Sequence, residues 1–119
     1  MSANNNSFKE LLLLHCEYIF NCLVNVDMYC DKKSPIDAIE WLKIIQDKIL
    51  EMEREYNNQS TDISNQWSYH SSSFELIKHQ ANLATNHFKN VRPFNGRYIK
   101  DCIKTINETL HGLRFTLNY

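Results

Sequence analysis

Residues 34–58 read SPIDAIEWLKIIQDKILEMEREYNN. Ala38, Leu42, Ile45, Ile49, Met52 and Tyr56 recur there at steps of 4-3-4-3-4. That is the period of one helical face; a half-buried strand would alternate at every second residue. Ser34 stands where an N-cap belongs. Pro35 follows at the first helical position, where its missing N–H costs nothing. Asp37 in the first turn complements the positive end of the helix dipole. Asn57 and Asn58 end the period. A seam of this spacing suits shallow-angle packing against other helices.

Reading outward from this segment gives three more helices. On the N-terminal side, past Asp31-Lys32-Lys33, the residues Phe8, Leu12, His15, Ile19, Cys22, Val26 and Tyr29 share one face. Leu11, Cys16, Phe20 and Leu23 widen it, which predicts the helix deepest in the core. Ser7 and Glu10 have capping-box spacing, so the helix is expected over about 8–30. On the C-terminal side, residues 57–72 read NNQSTDISNQWSYHSS and show no helical period. They are expected as a long loop, unusual inside a compact domain. Ser72 and Glu75 again have capping-box spacing. Phe74, Ile77, Ala81, Ala84, Phe88 and Val91 then predict a helix over 73–91. After Arg92-Pro93-Phe94-Asn95-Gly96, the residues Ile99, Cys102, Ile106, Leu110, Leu113 and Leu117 predict a fourth helix over 96–117, softened near its end by Gly112.

The expected architecture is all-α, an antiparallel four-helix bundle of two helical hairpins joined by the 57–72 loop. Short links within each hairpin enforce antiparallel neighbours. A flat solenoid fragment or a paired dimer of hairpins would show the same linker pattern. The chain of 119 residues is long enough for one hydrophobic core, and two glycines and two prolines leave few breakers. The composition, 43% hydrophobic and 23% charged, is that of a globular domain and not of a disordered chain. Cys16, Cys22, Cys30 and Cys102 form no C-x-x-C, and three lie on one helix. They read as reduced, buried thiols of a cytoplasmic protein. The apolar run Leu11–Leu14 lacks a basic flank, and His15, Glu17, Asn21 and Asn25 interrupt the residues after it. The reading is neither a signal sequence nor a membrane span.

Signatures of catalysis are missing. Two glycines cannot build a phosphate cradle. A di-iron bundle needs two Glu-x-x-His motifs; Glu108–His111 matches one, and Glu75 with His79 is a near match. In size and all-α content the chain resembles the HEPN ribonucleases. However, none of Arg54, Arg92, Arg97 or Arg114 is followed four to six residues later by histidine, as that family's motif requires. The expectation is therefore no enzyme, no cofactor and no metal. His15, on an apolar row, reads as a core or boundary histidine with a backbone or side-chain partner.

Charge is unevenly placed although the net is −1. Residues 35–62 carry seven acids against three bases, and 78–114 carry seven bases against two acids. Asp47, Glu51 and Glu55 are spaced to stack on one face of the second helix. Like charges at this spacing cost a few tenths of a kcal/mol per pair, so the row suits a basic partner. Asp37, Glu40 and, in the loop, Asp62, Trp67 and Tyr69 extend the expected partner-binding face, since Trp and Tyr anchor interfaces. The functional expectation is a protein-binding inhibitor, most specifically an immunity or antitoxin-type protein masking a cationic nuclease toxin. A residue bias of the kind AT-rich mobile genes show is in keeping with it. An adaptor or dimerisation bundle is the alternative. A second alternative uses Lys89, Arg92, Arg97, Lys100 and Lys104, interleaved with Phe94 and Tyr98, as an anion or nucleic-acid site. The net charge argues against strong nucleic-acid affinity.

Overall fold

A computed structural model describes residues 2–58 and 67–117, with side chains over 8–58 and 70–117. It contains four helices: α1 (Ser2–Asp31), α2 (Pro35–Asn57), α3 (Trp67–Asn90) and α4 (Gly96–Leu117). No strand occurs among the described residues. Helix α1 packs on α2 and α4, and α3 packs on α2 and α4, so the four form a closed square. Cross-bundle partners such as His15 with Glu55, Glu53 with Lys78, and Glu17 with Arg114 fit an antiparallel arrangement at three of the four junctions. The fold is the four-helix bundle that the periodicity predicts, drawn out to 52 × 21 × 20 Å.

The α2 seam is buried in full, from Ala38 to Tyr56, as is the α4 row from Ile99 to Leu117. Truncating Leu42 or Ile106 to Ala would cost about 2–5 kcal/mol, the ordinary penalty for emptying a core site. Helix α1 buries nine of its described side chains, from Phe8 to Cys30, more than any other helix. A square bundle has no central member, and Leu11, Leu14, Tyr18 and Val24 face outward from α1. By length and composition Phe8–Asp31 could cross a bilayer, contrary to the sequence reading; its inner face packs against α2 and α4.

Two helix starts differ from expectation. Helix α1 begins before Ser7, and α3 begins at Trp67 instead of Ser73, so Ser7 and Ser72 lie within helices and cap neither. The reason for the early α3 start is His70, which is fully buried. It continues the α3 row one step of four back from Phe74, but as a polar residue it broke the visible period. The connection therefore spans 58–66 and not 57–72. Val91 falls just past the end of α3 and is exposed.

The short links explain the hairpins. The amides of Lys33 and Ser34 reach back to the carbonyls of Cys30 and Tyr29, at 3.1 and 2.9 Å. Lys33 sits at φ 56° between them. This is a Schellman cap with lysine where glycine is usual. Before α4, Asn95 Oδ1 accepts the amides of Arg97 and Tyr98 at 3.0 and 3.3 Å, capping the helix start.

Candidate functional site

An α-helix turns 100° per residue, so residues four apart drift 40° around the axis. The acidic row of α2 therefore does not stay on one face. Glu40 and Asp47 point to solvent. Glu51 and Glu55 turn into the α1–α2 junction, where they meet His15 of α1. His15 is buried, and its Nε2–H donates to Glu55 Oε2 at 3.0 Å and lies 3.9 Å from Glu51 Oε1. Lys48 donates to Glu51 Oε2 at 3.1 Å, and this bond holds the Glu51 carboxyl below the ordinary carboxylate range. The same ammonium sits 4.7 Å above the Tyr18 ring. Tyr18, Lys48, Glu51, His15 and Glu55 thus form one connected cluster across two helices.

His15, Glu51 and Glu55 offer donor atoms within 4.8 Å of one another, close enough to share a cation. Protein groups already compensate the set: Lys48 neutralises Glu51, and His15 satisfies Glu55. The two Glu–His pairs weighed as metal ligands do not converge. Glu75 is paired with Lys78 at 2.5 Å and His79 is exposed. Glu108 is exposed, and His111 lies against Phe20 with Arg114 at 3.1 Å.

The remaining expected partner-binding residues are scattered. Asp37 accepts the Ser34 hydroxyl at 2.6 Å, at the start of α2. Asp47 also borders a shallow groove between α2 and α3, beside Lys43, Leu50, Lys78 and Asn82. Asp62 lies outside the described residues. Trp67 and Tyr69 are in the first turn of α3, and their side chains lie outside them too. What sequence reasoning missed is an apolar stripe beside the acids. Leu11, Leu14 and Tyr18 are spaced 3 and 4 apart on the outer side of α1, with Leu14 66% and Tyr18 48% exposed. The signal was present, since α1 is apolar on more than one face, but by spacing Leu11 reads as a wider core and Leu14 only as part of an apolar run.

The basic cluster also divides. Lys100 is held by Asp27 and, at 2.8 Å, by Asp31 of α1, and these bonds raise its pKa. Tyr98 stacks on His87 with centroids 4.4 Å apart, so its ring face is taken. Lys89, Arg92, Arg97 and Lys104 are exposed. Charge for an extended phosphate track is reduced accordingly.

At the other end of the bundle a buried polar chain links three helices. Thr116 donates its hydroxyl proton to the Leu113 carbonyl at 3.0 Å. Its oxygen, 3.1 Å from His70 Nε2, therefore accepts from that nitrogen. His70 Nδ1 is left to accept from the Tyr56 hydroxyl at 2.6 Å. Burial lowers the His70 pKa and pushes the Tyr56 pKa up to about 12. The four cysteines are buried and unpaired, and burial raises each thiol, Cys16 to about 12. Thiols held in this way are poor nucleophiles.

Compared with models of known protein families, with characterised proteins and with solved structures, the chain matches none at a significant level.

Proposed function

We propose that this chain is a non-catalytic protein-binding bundle whose working face is the α1–α2 side, and that its partner is cationic with an apolar centre. The observation that carries the reading is the adjacency of apolar and acidic side chains on that side. Exposed Leu11, Leu14 and Tyr18 run along α1 beside Glu51 and Glu55, with Asp47 and Glu40 further out on α2. Aromatic and aliphatic side chains at the centre with charge at the rim is the usual anatomy of a protein interface. Tyr18 takes the anchoring role that the sequence reading gave to Trp67 and Tyr69. Asp47 and Glu40 would steer a basic surface in from a distance, acting mainly on the association rate. The most specific form of this reading is an immunity or antitoxin-type inhibitor that covers the active site of a cationic nuclease.

The test is capture from the native host with the wild-type chain, a Leu14→Asp/Tyr18→Ala variant and a control, Glu108→Lys on α4. A cationic nuclease is expected on the wild type and the control. It should be lost from the double variant, and its activity should be suppressed in the complex and recovered on release. Equal retention by the wild type and the double variant would sink the reading. A fully active nuclease in the complex would remove its inhibitor part. Self-association through the same stripe would instead appear as a concentration-dependent dimer in sedimentation, abolished by the same double variant.

A further inference from the structure

The α1–α2 link and the α3–α4 turn meet at one end of the bundle and enclose a cavity of about 650 Å³. Small-molecule sites span roughly 300–1,000 Å³, apolar inside with a few convergent polar groups. This cavity has that make-up. Phe88 and Phe94 form its floor, edge to face with centroids 4.9 Å apart. Pro93 and Ile36 wall it, and Ile36 is 74% exposed. Lys33, Arg92 and Lys100 reach the lining, opposed by Asp31, which leaves a net charge of +2. Lys100 is tied to Asp27 and Asp31, so the cations available to a ligand are Lys33 and Arg92. The helix dipoles do not decide the field. The C-termini of α1 and α3 and the N-termini of α2 and α4 meet at this end, and their partial charges oppose one another. The side-chain cations set the sign.

We infer that this cavity binds a small aromatic carboxylate. Its ring would lie on Phe94 between Ile36 and Pro93, and its carboxylate would face the planar fork of Arg92, with Lys33 as a second charge. Arg92 favours a carboxylate because the guanidinium can give it two parallel hydrogen bonds. The walls take a ring rather than a flexible chain, since an aromatic floor offers a flat stacking face. The same residues entered the sequence reading as part of a nucleic-acid surface. The fold instead stacks Tyr98 on His87, ties Lys100 to Asp27 and Asp31, and brings Lys33 to Arg92 and Phe94 from the other hairpin.

The probe is 2-naphthoate, with neutral 2-naphthol of similar shape as its control. Both are titrated into the intact chain while backbone amides are followed by heteronuclear NMR. Saturable shifts are expected at Lys33, Ile36, Arg92, Phe94 and Gly96, with 2-naphthol binding at least tenfold more weakly. In the Lys33→Gly/Arg92→Gln variant the naphthoate affinity should fall at least tenfold while the spectrum stays folded. Lys33→Gly suits this purpose because glycine is the preferred residue at φ 56°. If the spectrum shows that the double variant has unfolded, Arg92→Gln alone carries the same expectation. Absence of saturable shifts, shifts centred elsewhere, or equal binding of naphthol and naphthoate would overturn the inference.

Discussion

His70 is a neutral histidine whose two ring nitrogens both have hydroxyl partners, one on each neighbouring helix. Burial lowers its pKa below 6.5, so the unfolded chain takes up a proton at a higher pH than the folded one. Folding stability is then unaffected by this group above the unfolded pKa and declines as pH falls below about 6.5. Tyr56 sets the opposite edge, because its raised pKa makes stability fall as pH climbs past about 10. The expected outcome is lower stability to urea at pH 5.5 than at pH 7.5, and a smaller difference between the two in His70→Gln. An unchanged difference would show that His70 does not carry the effect. None of this was legible in the sequence. His70 looked like part of a polar loop, and its partners stand 14 and 46 residues away. His15 is the converse case. Its place on an apolar row gave away a core or boundary histidine with a backbone or side-chain partner, but not that the partner is Glu55.

At the scale of the element, the seams of α2 and α4 were fully legible because each is an uninterrupted apolar period. The caps were less so. The sequence signal for a Schellman turn is glycine, and α1 ends with Lys33 in that position. A non-glycine residue in the left-handed region costs about 1–2 kcal/mol. Lys33→Gly is therefore expected to raise stability by roughly 0.5–1 kcal/mol, once the greater freedom of glycine in the unfolded chain is offset. Equilibrium urea unfolding would read this as a higher midpoint with an unchanged slope; a lower midpoint would mean that Lys33 makes contacts worth more than the strain. The acidic row of α2 shows another limit. Spacing correctly placed Asp47, Glu51 and Glu55 as neighbours along the helix. It could not show that the 40° drift carries the last two into the junction with α1.

Across the whole molecule, the radius of gyration of 15.1 Å exceeds the roughly 13.5 Å of a compact chain of this length, as expected of a bundle drawn out along one axis. Polar pairs close three sides of the square: the His15–Glu55 hydrogen bond, and the ion pairs Lys78–Glu53 and Arg114–Glu17 with Lys100–Asp27. The exposed ones, Arg114–Glu17 and Lys100–Asp27, contribute about 0–1 kcal/mol each, so they fix register more than they stabilise. The apolar core carries the stability, and the cysteines lie within it on α1 and α4. All four thiols should therefore react with a disulfide reagent slowly and together, at the rate of opening of the bundle, and promptly once urea unfolds it. One thiol reacting fast under native conditions would show that its helix opens on its own.

What the sequence determined by itself was the number of helices, three of the four inward rows nearly complete, and the pairing of helices into hairpins. These features come from local period and short links, which involve residues a few positions apart. Only the tertiary structure decided which charges face solvent and which are already satisfied within the chain. It also placed an apolar stripe beside the acids, and assembled a cavity from Lys33, Ile36, Arg92 and Phe94. Those outcomes depend on residues tens of positions apart being brought together, and the rotation of each helix about its own axis decides them.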